Sequence, residues 1–195
     1  MRCLKRDFKP GAIFHIYNHA IDDYQLFYDD IDYNYMINIF EENIEKIPSS
    51  IIAFCLMPDH YHFLIRQDSE VEIYKLFNYS FIRYAKYFNE KYSRKGPIFR
   101  SPLQHILVAD KTYMIQLCKY IHLNPVRKDL VDQPENWIYS NYKNWLFQNT
   151  DKLTINNVFK ELSITPSWYK TYLDSPFNFI CSKIFSKWLN INLSH

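Results

Sequence analysis

Residues 51–66 read IIAFCLMPDHYHFLIR. An unbroken apolar run, 51–57, leads into the Pro58–Asp59 pair and then into a second strand-forming run, 60–66. Continuous apolarity over seven residues is the mark of a strand buried in a sheet, and Pro-Asp is turn chemistry. The stretch therefore predicts a β-hairpin. Side chains on a strand alternate with a period of two, so His60 and His62 share one face while Tyr61 takes the other. Two imidazoles one residue apart can share a divalent metal ion. The same pattern also fits two histidines on a solvated sheet face.

The flanking sequence extends the hairpin into a sheet. Upstream, 12–18 (AIFHIYN) alternates as a strand does. Residues 32–47 have the helical period, with Asp32 as the expected N-cap and an apolar stripe that includes Met36, Ile39, Phe40 and Ile44; Pro48, Ser49 and Ser50 end it. Downstream, 70–92 reads as a long helix with Ile73, Leu76, Phe77, Phe81, Tyr84 and Phe88 on one side. A basic loop follows at 93–97, then a strand at 103–108, then a helix capped by Asp110 that runs to Asn124 and is expected to end at Pro125. Residues 134–147 are rich in aromatics, and 151–195 read as short helices. The order β-α-β-β-α-β plus a helix is the ferredoxin-like split βαβ plan, an α+β fold in which helices pack on one face of an antiparallel sheet. The expected division is one domain over 10–147 and a helical C-terminal extension over 148–195.

The helix after Asp110 carries a second constellation. Tyr113, Gln116, Tyr120 and Asn124 lie three and four apart and share a stripe, while Met114, Leu117, Cys118 and Ile121 form an apolar stripe for docking on the sheet. An Asn124 carbonyl is one way to complete a metal site, with Tyr120 aimed at whatever that metal polarises. An ordinary tyrosine at a packing edge fits the pattern equally. His122 is turned about 200° from Tyr120, at ~100° per residue, and reads as structural. His15, His19 and His105 have no assigned place.

Composition excludes several classes. The 195 residues contain two glycines, Gly11 and Gly96, far too few and too scattered for a glycine-rich phosphate loop. The four cysteines (Cys3, Cys55, Cys118, Cys181) form no CxxC pair, so neither a disulfide framework nor a zinc knuckle is expected. No apolar run reaches membrane-spanning length and no secretory leader is present, so a cytoplasmic protein with no membrane partner is expected. Charge is asymmetric beneath a net +2: residues 22–46 hold eight acids and one base, whereas 81–128 hold ten bases and two acids. A basic region of that size attracts polyanions, although a charge run also serves as a solvated helix face. The 17 Tyr and 15 Phe include candidates for stacking on unpaired bases, most of them expected in the core.

Two segments are specific. Residues 57–65, MPDHYHFLI, resemble the MPNHYHLLI segment of single-tyrosine HUH transposases, and 119–127, KYIHLNPVR, resemble their RYIHLNPVR segment. Residues 96–100 (GPIFR), 11–16 (GAIFHI) and the Trp137–Tyr142 stretch resemble further segments of that family, so the likeness spans roughly 10–145. The REP-associated tyrosine transposases are the most similar group. The resemblance implies that His60 and His62 bind Mg²⁺ or Mn²⁺ with help from Asn124. It also implies that Tyr120 is the nucleophile of a strand transfer on single-stranded or hairpin DNA, through a covalent 5′-phosphotyrosine. Basic residues expected at the DNA are Arg83, Lys95, Arg100, Lys119, Arg127 and Lys128. Monomers and homodimers both occur among such proteins. Three departures stand out: Asp59 where the family often has Asn, His19–Ala20 where it has an Arg-Gly pair, and Ser101–Pro102–Leu103 after Arg100 where it usually has a richer basic run. The competing readings are a domesticated hairpin-DNA binder that no longer cleaves, a ferredoxin-like RNA-binding module reading bases with aromatics on an open sheet face, and a structural domain with an idle HxH.

Overall fold

A computed structural model describes residues 8–22, 24–148, 153 and 158–176. Four strands, β1 (Ile13–His19), β2 (Ser49–Leu56), β3 (His60–Gln67) and β4 (Gln104–Leu107), form one antiparallel sheet in the order β2-β3-β1-β4. Helices α1 (Asp30–Lys46) and α2 (Ile73–Lys91) connect them, and α3 (Lys111–Arg127) follows β4. This is the split βαβ order expected from the sequence. After a single 3₁₀ turn at Pro134–Asn136 come the short helices α4 (Tyr142–Phe147), α5 (Val158–Leu162) and α6 (Pro166–Asp174). The remainder of the predicted short-helix region, including Cys181, and Cys3 at the other end lie outside the described residues.

The period of two builds two cores. Phe14, Ile16, Tyr61, Phe63 and Ile65 point to one face and pack against Met36, Ile39 and Phe40 of α1 and Leu76, Phe77, Tyr84 and Phe88 of α2. Tyr17 and Leu64 point to the other, where Leu117, Cys118 and Ile121 of α3 cover them together with Trp145 of α4 and Tyr169 of α6. Each such fully buried large apolar side chain contributes about 1.5–3 kcal/mol. The sheet is thus covered on both faces, not on one. An RNA-binding module with aromatics on an open sheet face does not fit, because α3 occupies that face.

Three further findings refine the sequence reading. The N-cap of α1 is Asp29, whose extended backbone and carboxylate receive the Asp32 N–H at 3.0 Å. Asp32 lies one turn inside, fully buried, accepting from the Tyr28 N–H, the Tyr87 and Tyr92 hydroxyls and the Lys91 ammonium. Second, α3 does not stop at Pro125. The missing N–H of a proline costs one hydrogen bond, and the helix continues to a final Lys128 N–H···O=C Asn124 bond of 3.1 Å. Third, the aromatic segment after the 3₁₀ turn closes the free edge of β2. Leu56 N–H donates to Tyr139 O, Phe54 N–H to Asn141 Oδ1, and the Trp137 and Trp145 indoles to Leu56 O and Ile52 O. An uncovered edge would invite pairing with other chains. No helix among the described residues is long and apolar enough to cross a membrane.

Candidate active site

The site lies where the C-terminal end of β1 and the N-terminal end of β3 meet α3. Antiparallel register sets His19 opposite His60 and Tyr17 opposite His62. All four side chains therefore point to the α3 face. His60 is 4% exposed and His62 fully buried. Their rings are 5.1 Å apart, and the His19 ring stacks on His60 at 5.0 Å. His62 Nδ1 shares a hydrogen bond of 3.1 Å with His15 Nε2, and the ring meets Tyr120 edge-on at 5.3 Å. Tyr120 is 6% exposed and Asn124, one turn on, 3% exposed. The structure thus brings together His60, His62 and Tyr120, with Asn124 on the same side of α3.

Electrostatics follow from burial. His62 is held neutral, well below its ordinary value, first by desolvation and then by His60, His15 and His19 around it. His19 is pushed down to about 4 by desolvation and by His60, with Asp59 opposing and the charges of Arg100 and Lys128 adding. Burial pushes the Asp59 carboxyl up, but the hydrogen bond and charge of His60 outweigh it and hold the group at about 2. The Tyr120 phenol is raised by desolvation, against which Arg127 and a hydrogen bond with Asn124 act. Imidazoles next to a carboxylate are a donor set for a divalent cation. His19, Asp59 and His60 present ligand atoms that all lie within 4.8 Å of one another, so the chain fits such an ion. Asp59 Oδ1 is also 2.6 Å from His60 Nδ1.

The expected basic residues fall into two groups. Arg100 is exposed, its Nε donates to Ala20 O at 3.0 Å, and its charge reaches His19, as does that of exposed Lys128. The Arg127 guanidinium lies 5.4 Å over the Tyr120 ring. Lys95 is exposed in the loop after α2. The other two are elsewhere. Arg83 is on α2, across the sheet, paired with Glu42 and stacked on Tyr35. Lys119 is 2% exposed and donates to Tyr172 O, Ser175 O and Ser175 Oγ at 2.6, 2.7 and 3.0 Å, capping the C-terminus of α6. Both placements have one cause: a basic residue on a helix satisfies the nearest acceptors, and for these two the acceptors are protein.

His122 is structural, as its helical angle suggests. It is fully buried between Tyr169 Oη at 2.8 Å and Asn141 Oδ1 at 3.0 Å. His19, like His15, has no role legible along the chain. Alternation on β1 puts it on the face of His15 and Tyr17, but its pairing with His60 needs the strand register.

A family model described as "Transposase IS200 like" matches residues 10–124. The chain belongs to the IS200-like transposase family. A Haemophilus influenzae protein assigned to the REP-associated tyrosine transposases is 25% identical over 149 residues, 71% of this chain and 84% of that one. The solved structure of a REP-associated tyrosine transposase bound to a REP hairpin superposes with a TM-score of 0.62, covering 81% of this chain and 93% of that chain at 16% identity. That likeness bears on the fold, and the fold is shared. The family assignment agrees with the resemblance carried by MPDHYHFLI and KYIHLNPVR. In this IS200-like transposase, those two segments are the strand β3 and the helix α3 whose side chains meet at the site.

Proposed function

We propose that this transposase is a metal-dependent endonuclease and strand transferase for single-stranded DNA beside hairpins, working through a covalent 5′-phosphotyrosine on Tyr120. The observation that carries the reading is the contact between His62 and Tyr120, ring centroids 5.3 Å apart, in a family of transposases. His60, His62 and Asn124 are the residues we assign to holding Mg²⁺ or Mn²⁺. When bound, such an ion supplies Lewis acidity to a non-bridging oxygen of the scissile phosphate.

The chain's own residues do the rest. Tyr120 rests as a neutral phenol, because burial raises its pKa. Arg127 above the ring favours the phenolate as it develops, and Asn124 holds the hydroxyl. In the step proposed, the Tyr120 Oη–P bond forms and the P–O3′ bond breaks. The phenolic proton is given up and the leaving oxygen ends as a 3′-hydroxyl. The reverse step with another 3′-hydroxyl joins strands without ATP, since the phosphodiester energy is kept in the tyrosyl ester. Exposed Arg100, Arg127, Lys128 and Lys95 are assigned to phosphates, giving salt-dependent binding. A hairpin as substrate is supported by the solved relative that carries a REP hairpin. Residues 10–147 are the nuclease domain in this reading. Residues 148–195 are assigned to an appended segment, whose helices α5 and α6 pack against α3.

The test is covalent capture. End-labelled strands from the flanks of the gene, hairpins included, are incubated with Mg²⁺ or Mn²⁺ and resolved under denaturing conditions. An adduct with wild type, lost with chelator and absent in Tyr120→Phe, is expected. An adduct that persists in Tyr120→Phe moves the nucleophile elsewhere. Tight hairpin binding without any adduct replaces the nuclease with a binder.

A further inference from the structure

We propose that His19 and Asp59 are ligands of the divalent ion that His60 holds, so that the metal centre spans two strands and includes a carboxylate. The inference deepens the metal-dependent reading above and rests on it. His19 ends β1 and is the cross-strand partner of His60, which opens β3; Asp59 is the turn residue just before it. The donors therefore come from two strands held by main-chain hydrogen bonds and a tight turn, a scaffold that fixes their spacing without metal. The ligand atoms of the trio lie within 4.8 Å of one another. Ligands at about 2.0–2.2 Å from one ion sit roughly 3–4.4 Å apart, so the trio is little wider than a coordination sphere. Among the described residues no other trio of His, Cys, Asp and Glu is so placed.

The chemistry of each donor is consistent. Asp59 Oδ1 and His60 Nδ1 are 2.6 Å apart, close enough for both atoms to bind one ion in place of the proton they share. His19 stacks on that ring at 5.0 Å, as two cis ligands of one ion do. Both positions are among the departures from the resembling family's pattern, and the fold brings them to one point. Arg100 and Lys128, whose charges reach His19, oppose a bare cation but suit one that carries a DNA phosphate. A set with imidazoles and one carboxylate favours Mn²⁺ over Mg²⁺, which prefers oxygen ligands and keeps its waters.

The experiment is isothermal titration of MnCl₂ into the full chain without DNA. Wild type, His19→Ala, Asp59→Asn and His60→Ala are compared, with melting in chelator as the fold control. One Mn²⁺ site is expected in wild type, weakened at least tenfold in His19→Ala and in Asp59→Asn, and weaker for Mg²⁺. Asp59 is mostly exposed and His19 lies at a strand end, so neither change empties a core. Should His19→Ala fail to melt as wild type does, Asp59→Asn and His19→Gln carry the comparison. Affinity within twofold of wild type in both variants, with the site lost in His60→Ala, overturns the proposal. If wild type then still forms the Tyr120 adduct, the nuclease reading stands without it. A site weakened by both changes but no adduct on any strand upholds these ligands and overturns the nuclease.

Discussion

Lys119→Met separates a structural lysine from a DNA contact. The Lys119 ammonium sits in the protein, 2% exposed, with three acceptors at the end of α6 and the Tyr172 ring 4.6 Å away. Methionine keeps the stem and removes the charge. Hydrogen bonds to a charged group contribute about 1.5–3 kcal/mol each. Three that share one ammonium do not add fully, and the freed acceptors regain some water, so a net loss of about 3 kcal/mol is expected. For a chain of this size each kcal/mol lowers Tm by about 2–4 °C, which makes the expected drop roughly 6–12 °C. Hairpin DNA affinity measured against salt is the second assay. A lysine on a phosphate contributes about 0.9 to the slope of log affinity on log salt. The expected slope for Lys119→Met equals that of wild type at a temperature where both are folded. A slope reduced by about one with Tm unchanged would refute the capping role and return Lys119 to the DNA.

Two other outcomes follow from the same geometry. Arg100→Ala is expected to weaken hairpin binding about fivefold and to lower the salt slope by about one, whereas Arg83→Ala leaves both unaltered because its side chain pairs with Glu42 of α1 on the far face of the sheet. Equal losses in both variants would contradict this division of the basic residues. His122 gives a pH dependence. Burial pushes it down to about 4, with Asn141 opposing, from an unfolded value near 6.5. The unfolded chain then binds the extra proton between those values. The contribution is complete above about pH 6.5 and is lost as pH falls towards 4, by about 3 kcal/mol at ~1.4 kcal/mol per unit. Urea unfolding from pH 7 to 4.5 should therefore steepen less in His122→Gln than in wild type, and identical slopes would exclude His122 as a source.

Much of the site could be read along the chain. A strand of period two fixes that His60 and His62 share a face, and a helix of period 3.6 fixes that Tyr120 and Asn124 share another, because both are properties of neighbours in sequence. The strand–helix order and the turn at Pro58–Asp59 likewise follow from local chemistry. Three sites resisted this reading for one reason. Asp29 rather than Asp32 caps α1: the Asp32 carboxylate is taken by the Tyr28 N–H and by the Tyr87 and Tyr92 hydroxyls, while Lys91 bonds both aspartates. Lys119 faces α6 because a segment some 50 residues later offers it carbonyls. His19 meets His60 because antiparallel register aligns residues 41 apart, and a slip of one would send it to the opposite face. Local periodicity is enough to say which side chains each element presents in common. That α3 covers the histidine face and that His19 joins Asp59 beside His60 comes from packing between distant segments, which settles face and register where no local preference does.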